Sequence, residues 1–148
     1  MEYYCHMSAK ILQIAHTVIQ SPEWKDAAAK FNSDLCGMCA IASAITFRAL
    51  RYRRVETVIC ANDWHCWLHV MTNNKMYALD LTAKQFGFYG EVLLCPADAV
   101  LETIGRDLKH DHFARAWWSE CDSFTKFTST TALRNWQRKN MWPENQIV

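Results

Sequence analysis

The chain has 148 residues, of which 51% are hydrophobic, enough for one domain with a substantial buried core. Its 16 basic and 15 acidic residues give a formal net charge of +1, so no overall field directs it onto nucleic acid or anionic lipid. We therefore expect a single domain over residues 1–148, with no nucleic-acid partner and no membrane association.

Cysteine usage and the N-terminal residues indicate the compartment. Seven cysteines is an odd number, and the first residues lack the charged and apolar segments of a secretory signal. No apolar run approaches the roughly 20 residues that span a bilayer. The sequence predicts a cytoplasmic protein with reduced thiols.

The first third of the chain reads as helical. Apolar residues recur at helical spacing over residues 8–20, with Ser8 as a plausible cap, and Pro22 opens a second short helix to about Lys30. Turn residues follow at 32–34. A third, buried helix begins at Gly37 or Met38, and its apolar positions are Ile41, Ala42, Ile45, Ala49 and Leu50.

Three strands come next, over residues 55–60, 64–71 and 75–81, and Asn73-Asn74 is a good hairpin turn between the last two. That turn predicts a register in which Trp67 faces Asp80, while His65 and His69 lie diagonal to Asp80 on the same face. Further helices are predicted over residues 96–110 and 130–139.

The helix that follows Gly37 carries a candidate nucleophile. Cys36 and Cys39 both lie near its start, but only Cys39 stands two residues after the glycine and just before a small apolar run. A helix start and a neighbouring histidine are what turn a thiol into a reactive thiolate at neutral pH. Cys39 is therefore the predicted nucleophile.

The hairpin supplies an imidazole and a carboxylate. A histidine there would take the thiol proton and return it to the leaving group, and Asp80 would hold the ring in the productive tautomer. Spacing alone leaves His65 and His69 open as the base.

Three segments together resemble the transglutaminase-like branch of the papain-like cysteine enzymes: Gly37-Met38-Cys39, the stretch from His65 to Val70 containing His-x-Trp, and the stretch from Leu79 to Phe86 containing Asp-x-Thr. The resemblance covers about a third of the chain. It implies a triad of Cys39, His65 and Asp80, and it favours His65 because Trp67 follows two residues later.

An oxyanion hole is also required, and the backbone amide of Cys39 is a natural first donor. Related enzymes often place an amide side chain several residues upstream, which makes Asn32 the candidate second donor. Asn32 is an equally good turn residue.

A zinc site is the main alternative. Cys36-x-x-Cys39 and His65-x-x-x-His69 offer two thiolates and two imidazoles, although the histidines would lie about 13 Å apart on a strand, at some 3.3 Å per residue. Such a chain would be a non-catalytic zinc-stapled binding module, and an inactive relative of the enzyme is a further possibility.

We thus expect an α+β domain with a papain-like core, in which a central helix bearing Cys39 packs on a small antiparallel sheet. Its reaction would be attack on an amide or ester carbonyl of a protein or peptide through an acyl-thioester, without cofactor or metal. Protease, glutamine deamidase and transglutaminase activities all fit. A compact core without a pro-segment favours an effector that acts on one host protein.

Overall fold

The computed structural model describes residues 2–62, 65–88, 90–99 and 124–148, and side chains from Ser8 onward. The described helices are α1 (Glu2–Ile19), α2 (Pro22–Ala28), α3 (Cys39–Tyr52) and α4 (Thr130–Lys139). The strands are β1 (Glu56–Ala61), β2 (Cys66–Thr72), β3 (Lys75–Asp80), β4 (Leu93–Pro96) and β5 (Thr125–Phe127). Short 3-10 helices lie at Ala83–Phe86, Ala97–Ala99 and Glu144–Gln146.

The strands form one antiparallel sheet in the order β4-β3-β2-β1-β5. Asn73 and Asn74 have φ angles of 49° and 61°, the left-handed pair that a tight two-residue hairpin needs. Thr72 pairs with Lys75 and Leu68 with Leu79, so the next pair along is Trp67 with Asp80. The predicted hairpin and its register are confirmed.

Both faces of the sheet are buried. Helix α3 packs on β1 and β2, and α1 packs on α3, which produces the larger core. Alternation along β2 sends Leu68 and Val70 into that core, whereas Trp67 faces a second cluster with Phe86 and Leu93. The expected α+β class, with the Cys39 helix on an antiparallel sheet, is confirmed at this level.

The C-terminal segment folds back onto the start of α3. The buried Gln137 of α4 donates from Nε2 to the Gln146 carbonyl (2.8 Å) and accepts at Oε1 from the Val148 amide (2.9 Å). The 3-10 helix at Glu144–Gln146 contacts α3. Residues remote in sequence therefore brace the turn that precedes Cys39.

Most of the predicted elements are present, with shifted ends. Helix α1 begins at Glu2, so Ser8 lies inside it and the predicted cap is wrong; residues 2–7 hold no proline or glycine to stop the helix. Helix α2 begins at Pro22, and the Ser21 hydroxyl accepts from the Trp24 amide (3.2 Å). Helix α3 begins later than predicted because Gly37, at φ +86°, lies outside helical space.

The C-terminal half departs further from expectation. Pro96 ends β4, where it pairs with Tyr77, instead of opening a helix, and residues 100–110 of that predicted helix lie outside the described residues. Strands β4 and β5 had no sequence signal. Helix α4 spans the predicted residues. No helix in the described part of the chain is long and apolar enough to cross a lipid bilayer.

Candidate active site

Cys39 is the first residue of α3 and is only 3% exposed. The turn before it is tight: the Leu35 amide donates to the Asn32 carbonyl (2.8 Å), and the Met38 amide donates to the Leu35 carbonyl (3.0 Å). Leu35 (φ 62°) and Gly37 (φ 86°) are both left-handed in this turn. Cys39 thus sits in the first helical turn, where amide groups lack carbonyl partners within the helix and the dipole favours negative charge.

His65 lies just before β2 and is fully buried. Its amide donates to Asn62 Oδ1 (2.9 Å), and its carbonyl accepts from the Asn62 amide (3.0 Å), which fixes the backbone between β1 and β2. The ring stacks near Trp67 at a centroid distance of 6.1 Å and meets the edge of Phe86 at 4.9 Å. These contacts leave the imidazole little freedom to rotate.

Asp80 ends β3 at the same end of the sheet and joins His65 directly. His65 Nε2 and Asp80 Oδ2 are 2.6 Å apart. The other carboxylate oxygen, Oδ1, accepts from the Thr82 amide (2.7 Å) and from the Thr82 hydroxyl (3.1 Å). Both oxygens are therefore engaged, and the carboxylate is held in one orientation toward the ring.

Cys39 contacts the His65 side of the His65–Asp80 pair. Its thiol is hydrogen-bonded to the side chains of Cys66 and His65. Because Asp80 engages Nε2, Nδ1 is the ring nitrogen that faces the thiol. The structure thus brings Cys39, His65 and Asp80 together, as the sequence predicts.

The electrostatics of the pair favour charge separation. The hydrogen bond from Cys66 lowers the pKa of Cys39 against the opposing effect of burial, and the charge of His65 lowers it further, to about 5. Burial alone would lower the pKa of His65, but Asp80 and the thiolate outweigh it and raise that pKa to about 9. At neutral pH the site therefore holds a thiolate and an imidazolium.

His69 has a different environment. The Trp67 indole donates from Nε1 to His69 Nε2 (3.1 Å), so the ring accepts at Nε2 and is neutral. Burial, with a smaller effect of Lys126, lowers the pKa of His69 to about 4. Sequence spacing left open which of the two histidines contacts Asp80. In the structure, His65 and not His69 pairs with Asp80.

Asn32 is not brought to the other three predicted residues. It is exposed, and its carbonyl serves the turn before Cys39. Among the hydrogen bonds of the described residues, none joins its side chain to the triad. A different amide side chain lies beside the His65 ring: Gln85 Nε2 is 3.0 Å from Thr82 Oγ1 and 3.5 Å from His65 Nδ1.

Cys66, Thr82 and Gln85 were missed as site residues, although two carried a local signal. Strand alternation places Cys66 on the opposite face from Trp67, and hence toward α3. Asp-x-Thr is a sequence in which a carboxylate readily accepts from the amide two residues on. Gln85 had no such signal, because its contact with His65 spans 20 positions.

The zinc alternative lacks its ligand cluster. Cys36 is exposed while Cys39 is buried, and the imidazoles of His65 and His69 are engaged by Asp80 and Trp67. Within the described residues, no group of three or more histidine, cysteine or acidic side chains could hold a metal ion. The four side chains proposed from spacing do not converge.

Comparison with known proteins adds no family. No protein-family model, curated protein or solved structure matches this chain. The chemistry of the site itself is what indicates a function.

Proposed function

We propose that this protein is a cysteine enzyme of the papain-like superfamily, in its transglutaminase-like branch. The proposal is carried by one observation: a thiol at a helix start contacts a buried imidazole whose other nitrogen lies 2.6 Å from a carboxylate. The order Cys39, His65, Asp80, on a helix and two successive strand ends, supports the same family.

The first half-reaction would form an acyl-thioester. The Cys39 thiolate attacks an amide or ester carbonyl carbon, and the oxygen of the tetrahedral intermediate accepts from the Cys39 amide at the helix start. His65 then gives its Nδ1 proton to the leaving amine or alcohol as the bond to it breaks. Asp80 keeps Nε2 protonated and the ring aligned.

The second half-reaction would transfer the acyl group to water or an amine. Every group that this chemistry needs is a protein group, so the proposed enzyme uses no metal or organic cofactor. A protein or peptide is the proposed substrate, and proteolysis, glutamine deamidation and transglutamination share the first step. Reduced thiols at Cys39 and Cys66 fit work in a cytoplasm, including that of a host cell.

Chemical labelling tests the proposal. We expect iodoacetamide at about pH 6 to label Cys39 quickly, because its thiolate is already formed, and p-nitrophenyl acetate to acetylate it. Cys39→Ala should abolish both reactions. Cys36→Ala is the matched control, since Cys36 is an exposed thiol three residues away, and it should leave both unchanged.

Two outcomes would contradict this function. Slow labelling of Cys39 at about pH 6, with no acetylation, would indicate an inactive relative that only binds. Loss of acetylation in the Cys36 variant but not in the Cys39 variant would mean that the nucleophile is misassigned.

A further inference from the structure

We infer that Gln85 is a further residue of the active site, whose side-chain amide positions the water that attacks the thioester on Cys39. This rests on the proposed acyl-transfer function and deepens it. Gln85 lies in the 3-10 helix Ala83–Phe86 that follows β3, and its side chain is partly buried. Its Nε2 stands 3.5 Å from His65 Nδ1, the ring nitrogen that faces the thiol.

The hydrogen bonds around Thr82 define which end of the amide is presented. The Thr82 hydroxyl has one hydrogen, and its neighbour Asp80 Oδ1, 3.1 Å away, can only accept. The hydroxyl therefore donates to Asp80 and accepts from Gln85 Nε2, 3.0 Å away. The NH2 end of Gln85 is thus held in place, with one hydrogen on Thr82 and the second available on the His65 side.

The location of this donor indicates its role. Because Gln85 Nε2 lies beside His65 Nδ1, it can also contact any molecule that exchanges a proton with Nδ1. After acylation, His65 has passed its proton to the leaving group, and Nδ1 carries a lone pair. An incoming water can then donate one hydrogen to Nδ1 and accept one from Gln85 Nε2 with one of its two lone pairs, which aims the second lone pair at the thioester carbonyl.

The step balances without another reactant. The water oxygen forms a bond to the carbonyl carbon, and one of its protons moves to His65 Nδ1. The carbon–sulfur bond then breaks, and its electron pair returns to Cys39 as thiolate. The products are a carboxylic acid and the original thiolate–imidazolium pair.

The test follows p-nitrophenyl acetate turnover by the full chain, with the burst reporting acylation and the later steady rate reporting deacylation. Gln85→Met keeps the side-chain volume and removes the amide. We expect an unchanged burst, a steady rate about 10- to 100-fold lower, and accumulation of acetyl-Cys39 in the intact mass. Lys84→Met, at the preceding residue of the same 3-10 helix, is the control and should match the unmodified chain.

A second variant guards against misfolding. Gln85→Asn keeps an amide but shortens the side chain, so it should show the same selective loss of deacylation. Equal slowing of acylation and deacylation would overturn the inference, because it would indicate that Gln85 is an oxyanion donor. If the pH profile of Cys39 alkylation changed as well, Gln85 would instead act through His65. Unchanged kinetics in both variants would overturn it as well. An unmodified chain that forms no acetyl-Cys39 would instead refute the proposed function itself.

Discussion

His65 and His69 are four residues apart, and their pKa values move in opposite directions because only His65 faces a carboxylate. We expect His65→Ala to lower the acyl-transfer rate by about 10³-fold or more, because both the thiolate and the leaving group lose their proton partner. His69→Ala should keep most activity and cost about 1 kcal/mol in unfolding free energy, since it removes the bond from Trp67.

Rates of p-nitrophenyl acetate hydrolysis and urea unfolding of both variants measure these effects. The assignment would be reversed if His69→Ala, and not His65→Ala, brought the alkylation pKa of Cys39 up toward its ordinary value.

Cys66 is the thiol that acts most strongly on Cys39. Burial raises the pKa of Cys66 well above its ordinary value, so it stays protonated and can donate to the Cys39 thiolate. We expect Cys66→Ala to raise the pKa of Cys39 by about one unit, which would slow its alkylation by about twofold at pH 6 and about fivefold at pH 5. The measurement is the rate of iodoacetamide labelling against pH.

Cys95→Ala is the matched control, because Cys95 is also buried but lies in the cluster on the other face of the sheet. A Cys66 variant whose labelling profile equals that of the unmodified chain would show that the helix start and His65 suffice.

Single site residues could be predicted from the sequence where they lie at the end of a helix or strand whose boundary the sequence also indicates. Cys39 follows a glycine turn, and Asp80 is opposite Trp67 in a register that the Asn73-Asn74 turn determines. Asn32 lies exposed in the turn and its side chain is not bonded to the triad, because turn propensity and site chemistry favour the same amide side chain. Gln85 could not be found, since its partner is defined by tertiary packing.

At the scale of elements, the turn before α3 rests on Gly37. An alanine there would need a φ of +86°, and its Cβ would lie 3.0 Å from Gln146 Nε2. We expect Gly37→Ala to lower the unfolding free energy by about 1–2 kcal/mol, the usual cost of left-handed backbone for a residue with a Cβ.

Gly37→Asn separates backbone strain from side-chain crowding, because asparagine tolerates this conformation while also adding atoms near Gln146. Urea unfolding of the two variants is the measurement. A smaller loss in Gly37→Asn than in Gly37→Ala is expected, and the reverse order would place the cost in the contact with Gln146.

The same contrast between local and remote signals explains which strands were predicted. β1, β2 and β3 are joined by short connections and carry their own alternation and turn residues. β5 has three residues and pairs Phe127 with Ile59, and β4 has four and ends in a proline. Strands this short are specified by the sheet they join more than by their own residues.

For the whole molecule, three buried groups make stability depend on pH. The pKa of Cys39 is about 5 in the folded chain against an ordinary 9.0, and that of His69 is about 4 against 6.5. Between pH 5 and 6.5, each of these two groups therefore binds more protons in the unfolded chain than in the folded chain. Unfolding free energy therefore rises with pH across that window. His65, with a pKa of about 9 against 6.5, has the opposite effect from pH 6.5 to 9 and offsets Cys39 there.

We expect the unfolding free energy to rise with pH up to about pH 6.5 and then to stay level to about pH 9. Urea unfolding across pH measures it. Cys39→Ala should make the rise between pH 5 and 6.5 shallower by about 1.4 kcal/mol per pH unit, one proton's worth. An identical slope in this variant would mean that the folded thiol is not ionised in that range.

The burial of Cys39, His65 and Asp80 limits the kind of target that the proposed enzyme would modify. Cys39 is 3% exposed and His65 is fully covered, so an electrophile has to be narrow to reach the sulfur. Iodoacetamide should therefore react with Cys39 far faster than a bulky maleimide of similar intrinsic reactivity, and the difference should vanish in urea. For the same steric reason, a side chain or peptide bond inside a rigid domain cannot reach the Cys39 sulfur. A protein target would have to offer its acyl group on a tail or loop that unfolds locally at little cost.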